Sequence, residues 1–398
     1  MSARIHGPVV IVGAGQAAAQ AITSLRAEGF SGDIVLFGDE PYLPYQRPPL
    51  SKAYLGDELS EERLELKAPK FYDDSAVEVH LNTRVTRLLP AEHQVELADG
   101  SRHAYGALLI ATGTRARALP VPGAELAGVY SIRSIDDVKA FRAAAVPGAK
   151  LVIIGGGYIG LEVAAKARKL GLEVTLVEGQ PRVLARVACA TISDFARALH
   201  EGHGVTLLTG MGVARLTGSD RVSRVELADG RVLPADLVLS AVGAVPNAEL
   251  AQAAGLALDN GVKVDAATRT SAPDVYAVGD VASFPSALYG RRVRLESVQN
   301  AIDQAKAAAK AITGANVVYD PIPWFWSDQY DVKLQIAGLL DGFTRTECDG
   351  DVAAARFCVR YFHGERLIAV CSVNDPKSHM LARRALAAPE PQPAPSPG

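Results

Sequence analysis

A unit of strand, glycine turn, helix and strand that occurs twice constrains this chain more than any other feature. The first copy begins at Val9, where a short β-branched run leads into the glycine turn GAGQAA (13–18) and an alanine-rich helix. The second copy begins at Leu151 and passes through GGGYIG (155–160). A switch from strand to helix periodicity and back is typical of the βαβ unit. Two copies therefore predict an α/β protein with two Rossmann-like parallel sheets.

Each glycine turn is followed by an acidic residue near the end of the next strand. Asp39 lies 24 positions beyond Gly15, and Glu178 lies 21 positions beyond Gly157. Glycine lets the backbone approach a pyrophosphate, the helix start attracts its charge, and the acid can accept hydrogen bonds from ribose hydroxyls. The sequence therefore predicts two dinucleotide sites. Whether Asp39 binds a ligand or is merely solvated stays open, because Gly38 is aligned with Glu178.

The charge of Glu178 also predicts which nicotinamide dinucleotide is used. A 2'-phosphate at this position would meet a like charge, so we expect NADH to be preferred over NADPH.

Length, charge and cysteine content exclude several classes of protein. A chain of 398 residues predicts several domains, and the pattern changes to short strands after Tyr319. A net charge of −3 argues against a nucleic-acid partner. We find no signal peptide and no apolar run of about 18 residues, so we expect a cytoplasmic protein without membrane association. The four cysteines show no metal-ligand spacing, so we expect a redox cofactor and no metal.

Several phrases of this chain resemble one family of flavoproteins. They are DEPYLPYQRPPLSK (39–52), YAVGDVA (276–282), RLESVQNAIDQA (294–305) and PWFWSDQ (323–329). They resemble the FAD-dependent NADH:ferredoxin reductases of the putidaredoxin reductase-like family, which serve bacterial haem monooxygenases and aromatic-ring dioxygenases. The resemblance extends from Val9 to about Arg384.

The resemblance implies a glutathione-reductase-like fold, with FAD bound by the first unit and NADH by the second. It implies a discontinuous FAD domain at 1–113 and 244–318, an NAD domain at 114–243 and a C-terminal α+β domain at 319–386. A Pro-rich tail, 387–398, is expected to be disordered. The implied partner is an acidic 2Fe-2S ferredoxin, which serves an oxygenase. We expect a monomer or weak dimer.

The resemblance also assigns the site residues. Lys52 is expected beside the reactive edge of the flavin and paired with Glu162, and Trp326 is expected near the flavin and nicotinamide rings. For Trp324 we expect core packing. The FAD-binding residues are expected to be Gly13, Ala14, Gly15, Ala17, Ala18, Asp39, Arg47, Lys52, Val85, Ala111, Thr112, Gly113, Arg133, Gly279, Asp280, Val298 and Trp326. The NAD-binding residues are expected to be Gly155, Gly157, Ile159, Gly160, Glu162, Glu178 and Gly243.

Thiol chemistry at the flavin is not expected. The relatives that reduce disulfides need a cysteine near the flavin, and no cysteine precedes Cys189 in this chain. Two other functions stay open, an NADH oxidase or small-molecule reductase and an NADH-sensing flavoprotein resembling apoptosis-inducing factor.

A basic docking face for the ferredoxin is also expected. Its candidates are Arg291, Arg292, Arg294 and Lys333. Scattered solubilising charges are the alternative interpretation.

Overall fold

The computed structural model describes residues 7–387. Ala387, the first residue of the predicted tail, ends the last helix. The rest of that tail, 388–398, lies outside the described residues.

The first part of the chain forms a parallel sheet with a small antiparallel sheet beside it. Its elements are β1 (Val9–Val12), α1 (Gln16–Ala27), β2 (Ile34–Phe37), 3₁₀ turns at Pro48–Ser51 and Glu62–Leu64, α2 (Pro69–Asp74), β3 (Val77–His80), β4 (Val85–Leu89), a 3₁₀ turn at Pro90–Glu92, β5 (Gln94–Leu97), β6 (Arg102–Ala104) and β7 (Ala107–Ile110). The parallel strands run in the order β7-β1-β2-β3, and β4, β5 and β6 form the antiparallel sheet. All four residues of β1 are buried, as expected for a strand covered on both faces.

The second part repeats this plan. Its elements are β8 (Thr114–Ala116), β9 (Val129–Tyr130), α3 (Ile135–Ala144), β10 (Lys150–Ile154), α4 (Tyr158–Lys169), β11 (Glu173–Glu178), α5 (Ala190–Gly202), β12 (Thr206–Thr209), β13 (Val213–Gly218), β14 (Val222–Leu227), β15 (Val232–Pro234), β16 (Leu237–Ser240) and β17 (Ala244–Pro246). A parallel sheet runs in the order β12-β11-β10-β16-β9, and β13, β14 and β15 form the antiparallel companion.

The chain then returns to the first sheet. The next elements are α6 (Glu249–Ala253), β18 (Val262–Lys263), β19 (Val275–Ala277), a 3₁₀ turn at Gly279–Val281, β20 (Ala282–Ser286), β21 (Arg291–Val293) and α7 (Val298–Ile312). Strand β19 pairs in parallel with β7, and α7 packs against α1. The two crossings between the sheets, β8 and β17, pair with each other in antiparallel register.

The last part is an antiparallel sheet with one helix. It consists of β22 (Trp324–Gln329), β23 (Val332–Gly338), β24 (Arg345–Asp351), β25 (Arg356–His363), β26 (Arg366–Val373) and α8 (Pro376–Ala387), in the strand order β22-β23-β26-β25-β24. Helix α8 packs on β26 and β23. With two parallel sheets and this α+β region, the predicted fold class is confirmed.

One hydrophobic core joins the second parallel sheet to the antiparallel sheet. It contains Ile153 of β10, Leu161 of α4 and Phe357 of β25, together with Leu50 from the segment after β2. Because these parts share one core, α4 lies against both β22 and the 3₁₀ turn at Pro48–Ser51. Helix α4 is therefore the element on which side chains from all three regions can meet.

Candidate functional site

The two glycine turns open onto one cleft of about 1460 Å³. Gly13 and Gly15 of the first turn and Gly157 and Ile159 of the second turn all line this cleft. Each turn follows the carboxyl end of the central strand of its parallel sheet, where open α/β sheets bind their ligands. The cleft is therefore placed to hold both dinucleotides.

The two turns share the same glycine geometry. Gly13 has φ +107°, and a side chain there would lie 2.4 Å from the carbonyl oxygen of Ala111. Gly155 has φ +111°, and a side chain there would lie 2.4 Å from the carbonyl oxygen of Ala241. Both positions thus require glycine, because the turn passes directly over a neighbouring strand end.

The next glycine of each turn faces open space and begins a helix. No atom lies within 4 Å of the place where a side chain on Gly15 or Gly157 would stand. Neither residue caps its helix with a side chain, so the first N–H groups of α1 and α4 stay available to an anion. The residues present therefore fit the pyrophosphates of FAD and of a nicotinamide dinucleotide.

The acidic residue after the second glycine turn is held in place by backbone groups. The carboxylate of Glu178 accepts hydrogen bonds from the N–H groups of Gly156 and Gln180, each at 2.6 Å. A carboxylate offers about four acceptor sites, so room remains for a ribose hydroxyl.

In the first unit the two neighbouring acids differ. Asp39 is exposed and lines the cleft. Glu40 instead binds Arg47 at 2.5 Å and accepts from the hydroxyl of Tyr45 at 2.6 Å. Asp39 therefore remains available to a ligand, whereas Glu40 supports Arg47 in the cleft wall.

Asp280 lines the cleft from the 3₁₀ turn after β19. Arg133 contacts its carboxylate at 3.1 Å, and the hydroxyl of Thr114 donates to it at 3.3 Å. Burial raises the pKa of the Asp280 carboxyl, and the charge of Arg133 opposes that change. Val298, the first residue of α7, lines the cleft beside it. Asp280 is thus a partly buried acceptor held in a defined orientation.

Lys52 and Glu162 meet where the first and second units face each other. The Nζ of Lys52 lies 2.8 Å from Oε2 of Glu162, whose side chain is 3% exposed. Ser51 donates to the same oxygen at 2.5 Å, and Ser327 donates to Oε1 at 2.6 Å. The expected ion pair is present, and three elements hold it. It also borders a second cavity of about 410 Å³.

The two tryptophans of β22 form a continuous aromatic surface. Trp326 lines the cleft, and its ring centre lies 5.8 Å from that of Trp324. The guanidinium of Arg383 covers Trp324 at 4.9 Å, and His379 contacts it edge-on. Trp324 is half-buried, so the expectation of core packing for this residue is wrong. Because α8 packs on its ring, Trp324 joins the cleft to the helix surface.

The structure places most predicted site residues around the cleft. Three of them do not line it. Ala18 is fully buried in α1, and Gly155 and Gly160 face the interior of the second unit. A side chain on Gly160 would lie 2.1 Å from the carbonyl oxygen of Gly155, so this glycine allows the helix to pack on its strand. The residues that do line the cleft are Gly13, Ala14, Gly15, Ala17, Asp39, Arg47, Lys52, Val85, Ala111, Thr112, Gly113, Arg133, Gly157, Ile159, Glu162, Glu178, Gly243, Gly279, Asp280, Val298 and Trp326.

Sequence reasoning missed the residues that support the site. Ser51 and Ser327 bind Glu162, and Glu40 and Tyr45 bind Arg47. A signal was present, because Ser51 lies in the RPPLSK phrase and Ser327 in the FWSDQ phrase. Nothing in either phrase indicates that both hydroxyls reach the same carboxylate.

The predicted basic docking face receives little support. Arg292 donates to the carbonyl oxygens of Val264 and Ser283, and Arg294 is 10% exposed and pairs with Glu296. These two side chains hold the fold together and are poor candidates for a partner surface. Arg291 and Lys333 stay exposed, but each lies beside an acid, Asp341 and Asp328 respectively.

Within residues 7–387, no cysteine lines the cleft, and no group of three or more histidine, cysteine or acidic side chains could hold a metal ion. Cys189, Cys358 and Cys371 are buried, and burial raises the pKa of the last two thiols. In the same range no helix is both long and apolar enough to cross a membrane.

Comparison with known proteins matches almost the whole chain. Residues 7–305 match the pyridine nucleotide-disulphide oxidoreductase family, and residues 324–396 match the reductase C-terminal family. Rhodocoxin reductase of Rhodococcus erythropolis is 44% identical over 380 residues, covering 95% of this chain and 89% of that protein. A ferredoxin–NAD(P)⁺ reductase of Sphingomonas sp. is 44% identical over 387 residues, covering 96% of this chain and 93% of that protein.

A solved structure shows the same fold. It is the covalent complex of putidaredoxin reductase with putidaredoxin, and this chain superposes on it with a TM-score of 0.93 at 40% identity. The superposition covers 96% of this chain and 93% of the other. With two dinucleotide-type glycine turns on one cleft and relatives of this similarity, the chain belongs to the pyridine nucleotide-disulphide oxidoreductase family, in the group of ferredoxin reductases that carry a C-terminal reductase domain.

Proposed function

We propose that this protein is a ferredoxin reductase that takes hydride from NADH and delivers single electrons to an acidic 2Fe-2S ferredoxin, which serves an oxygenase. The observation that carries the proposal is the single cleft on which both glycine turns, the Lys52–Glu162 pair and Trp326 converge. We further propose a cytoplasmic location and a monomer or weak dimer.

The two glycine turns hold the two cofactors in this proposal. Bound FAD would accept a hydride from NADH and release the two electrons one at a time. The free N–H groups at the starts of α1 and α4 bind the two pyrophosphates. Asp39 and Asp280 accept hydrogen bonds from FAD hydroxyls, and Glu178 accepts from the ribose of NADH.

Lys52 and Glu162 act where the two bound rings would face each other. The ammonium of Lys52 would stabilise the negative charge that develops on the bound flavin during its reduction. Glu162 compensates that ammonium while the site is empty and keeps it in position. Both side chains are largely shielded from water, at 15% and 3% exposed, so their electrostatic effect is stronger than at the surface.

Electrons leave along the aromatic surface of β22. Trp326 lines the cleft, Trp324 lies against it, and α8 covers Trp324. On α8, Met380 and Leu381 are 57% and 53% exposed. Lys377, Arg383 and Arg384 are exposed on the same helix. An apolar and basic surface of this kind fits an acidic partner.

The cleft lacks the group that the disulfide-reducing members of the family require. No cysteine lines it among the described residues, and none precedes Cys189 in the sequence. The electrons must therefore go to an external acceptor. An oxidase or small-molecule reductase is the remaining enzymatic alternative, and an NADH sensor is the non-enzymatic one.

The test compares acceptors and a lysine variant. NADH consumption is measured with oxygen alone, with a quinone, and with a 2Fe-2S ferredoxin. We expect ferredoxin to raise the rate at least about tenfold. Lys52→Met should slow anaerobic flavin reduction by about 10- to 100-fold, because developing charge loses its counterion. The matched control is Lys70→Met, which removes a 79% exposed lysine of α2. This variant should reduce its flavin at the parental rate.

Two results would contradict the proposal. Equal NADH consumption with and without ferredoxin would favour the oxidase. Slow flavin reduction, together with dimer formation on adding NADH as measured by gel filtration, would favour the sensor.

A further inference from the structure

A buried chain of hydrogen bonds continues from Glu162 away from the cleft. Ser327 donates to Glu162 at 2.6 Å, Gln329 donates to Ser327 at 3.2 Å, and Nε2 of His200 lies 3.0 Å from Oε1 of Gln329. The four residues are 3%, 0%, 4% and 0% exposed in the order Glu162, Ser327, Gln329, His200. A polar chain of this length inside the core needs an explanation, because burying polar groups is costly.

The charge of Glu162 determines the direction of this chain. A carboxylate can only accept, so the hydroxyl hydrogen of Ser327 must point to Glu162. The oxygen of Ser327 is then free to accept, which requires the NH₂ end of Gln329 to face it. The carbonyl end of Gln329 consequently faces His200, whose Nε2 must carry the hydrogen. Every hydrogen bond in the chain points toward Glu162.

His200 is suited to be a neutral donor at the end of the chain. Burial lowers the pKa of His200 to about 4, so the ring is uncharged near neutral pH. Its other nitrogen, Nδ1, has no hydrogen-bond partner among the described residues. The ring therefore serves the chain through Nε2.

The chain spans three elements that are far apart in the sequence. Glu162 lies on α4, His200 on α5, and Ser327 and Gln329 on β22. Ser327 and Gln329 are two residues apart in one strand and so point to the same face. The arrangement connects the C-terminal sheet to the ion pair at the cleft.

We propose that Gln329 and His200 are positioning residues for hydride transfer. They keep the Ser327 hydroxyl directed at Glu162, which holds the Glu162 carboxylate against Lys52 and thereby fixes the cation beside the reacting rings. The inference rests on the proposed function, in which Lys52 and Glu162 lie at those rings. Without Gln329 the Ser327 hydroxyl can rotate away, and a displacement of about 1 Å near the chemistry can cost about 100-fold in rate.

The test asks whether position 200 needs a hydrogen-bond donor or specifically a histidine. The variants are Gln329→Leu, His200→Leu and His200→Gln, where the glutamine amide replaces the ring donor. Ser372→Ala is the matched control, because Ser372 is a fully buried polar residue of the same sheet, on β26, and lies outside the chain. Each FAD-loaded protein is mixed anaerobically with NADH to obtain the limiting rate of flavin reduction and the NADH dissociation constant. The flavin midpoint potential is measured separately.

We expect the two leucine variants to lose at least about tenfold in limiting rate, with NADH affinity within about twofold of the parent. Their flavin potential should become less negative, because a displaced Glu162 compensates Lys52 less well. His200→Gln and Ser372→Ala should match the parent in rate and potential.

Three results in the variants of Ser327, Gln329 and His200 would overturn the proposal. One is parental rates in both leucine variants, and another is a His200→Gln variant as slow as His200→Leu. Ser327→Ala removes only the hydroxyl and is the substitute if His200→Leu fails to fold. We expect it to show the same slow flavin reduction as the leucine variants. A parental rate in Ser327→Ala is the third result that would overturn the proposal. Glu162→Gln is the reference, because a parental rate in that variant refutes the role of Glu162 in the proposed function and the present inference with it.

Discussion

At the scale of single residues, we expect selectivity for the nicotinamide dinucleotide to depend on Glu178. Its carboxylate is fixed by the N–H groups of Gly156 and Gln180 and cannot turn away from a ligand without breaking both bonds. A 2'-phosphate about 4 Å away would cost about 1 kcal/mol in water and about 4 kcal/mol in a partly screened cleft. Because about 1.4 kcal/mol is a factor of ten, we expect at least a tenfold preference for NADH.

Removal of this charge should reduce the preference. We expect Glu178→Gln to lower the ratio of kcat/KM for NADH over NADPH by about tenfold, since the repulsion of the phosphate disappears. The matched control is Glu173→Gln, which removes the same charge from the exposed start of the same strand, β11. Equal efficiency with both dinucleotides in the parent protein would refute the role of Glu178.

At the scale of secondary-structure elements, α8 is the helix that connects the cleft to the protein surface. It packs on β26 and β23, and its Arg383 covers Trp324. The exposed side chains of Met380 and Leu381 stand among its basic residues. These contacts make α8 a better candidate for ferredoxin docking than the arginines of β21.

Charge reversal on α8 should slow the second half-reaction only. We expect Lys377→Glu with Arg383→Glu to slow reduction of an acidic ferredoxin about tenfold at ~50 mM salt, while flavin reduction by NADH stays at the parental rate. Raising salt to ~500 mM should slow ferredoxin reduction by the parent protein, because the Debye length falls below ~5 Å. The difference in rate between the parent and the α8 variant should then become smaller. Stopped-flow measurements of both half-reactions provide the comparison.

The control for this experiment is Lys263→Glu, which reverses an exposed charge on β18. If the control slows ferredoxin reduction as much as the α8 variant, docking is not localised on α8. A second half-reaction that does not depend on salt would mean that docking is apolar.

At the scale of the whole molecule, one core joins the second parallel sheet to the C-terminal sheet, and His200 is buried where α5 meets β22. The pKa of His200 is lowered from 6.5 to about 4 by burial. The unfolded chain therefore binds a proton in this pH range that the folded protein does not. The free energy of unfolding should fall as the pH falls from 6.5 toward 4, by up to about 3 kcal/mol.

Urea unfolding at pH 7.5, 6 and 5 tests this dependence. We expect His200→Gln to lose less stability than the parent between pH 7.5 and 5, because glutamine does not titrate. His363→Gln, which replaces an exposed histidine of β25, should follow the parent. The same pH dependence in all three proteins would show that His200 does not cause it. His379, whose pKa burial also lowers, adds a change of the same sign to all three.

The local elements around both glycine turns could be predicted because their signals are local. The turns GAGQAA and GGGYIG each follow a buried strand and open a helix, and α1 and α4 begin inside these turns, at Gln16 and Tyr158. The backbone conformation at Gly13 and Gly155 depends on the strand end directly beside it. The family resemblance added Lys52, Glu162 and Trp326, which the structure places on one cleft.

By itself the sequence determined the two βαβ units, the glycine turns and the absence of a cysteine before position 189, because each of these is a property of neighbouring residues. Only the tertiary structure decided which side chains support the site. Ser327 reaches Glu162 across 165 positions of sequence, and His200 reaches Gln329 across 129. The same holds for Arg292 of β21. Its charge suggested a docking role, but in the folded protein it donates to the backbone carbonyls of Val264 and Ser283. Such contacts depend on how α4, α5 and β22 pack against each other, and no local pattern of residues contains that information.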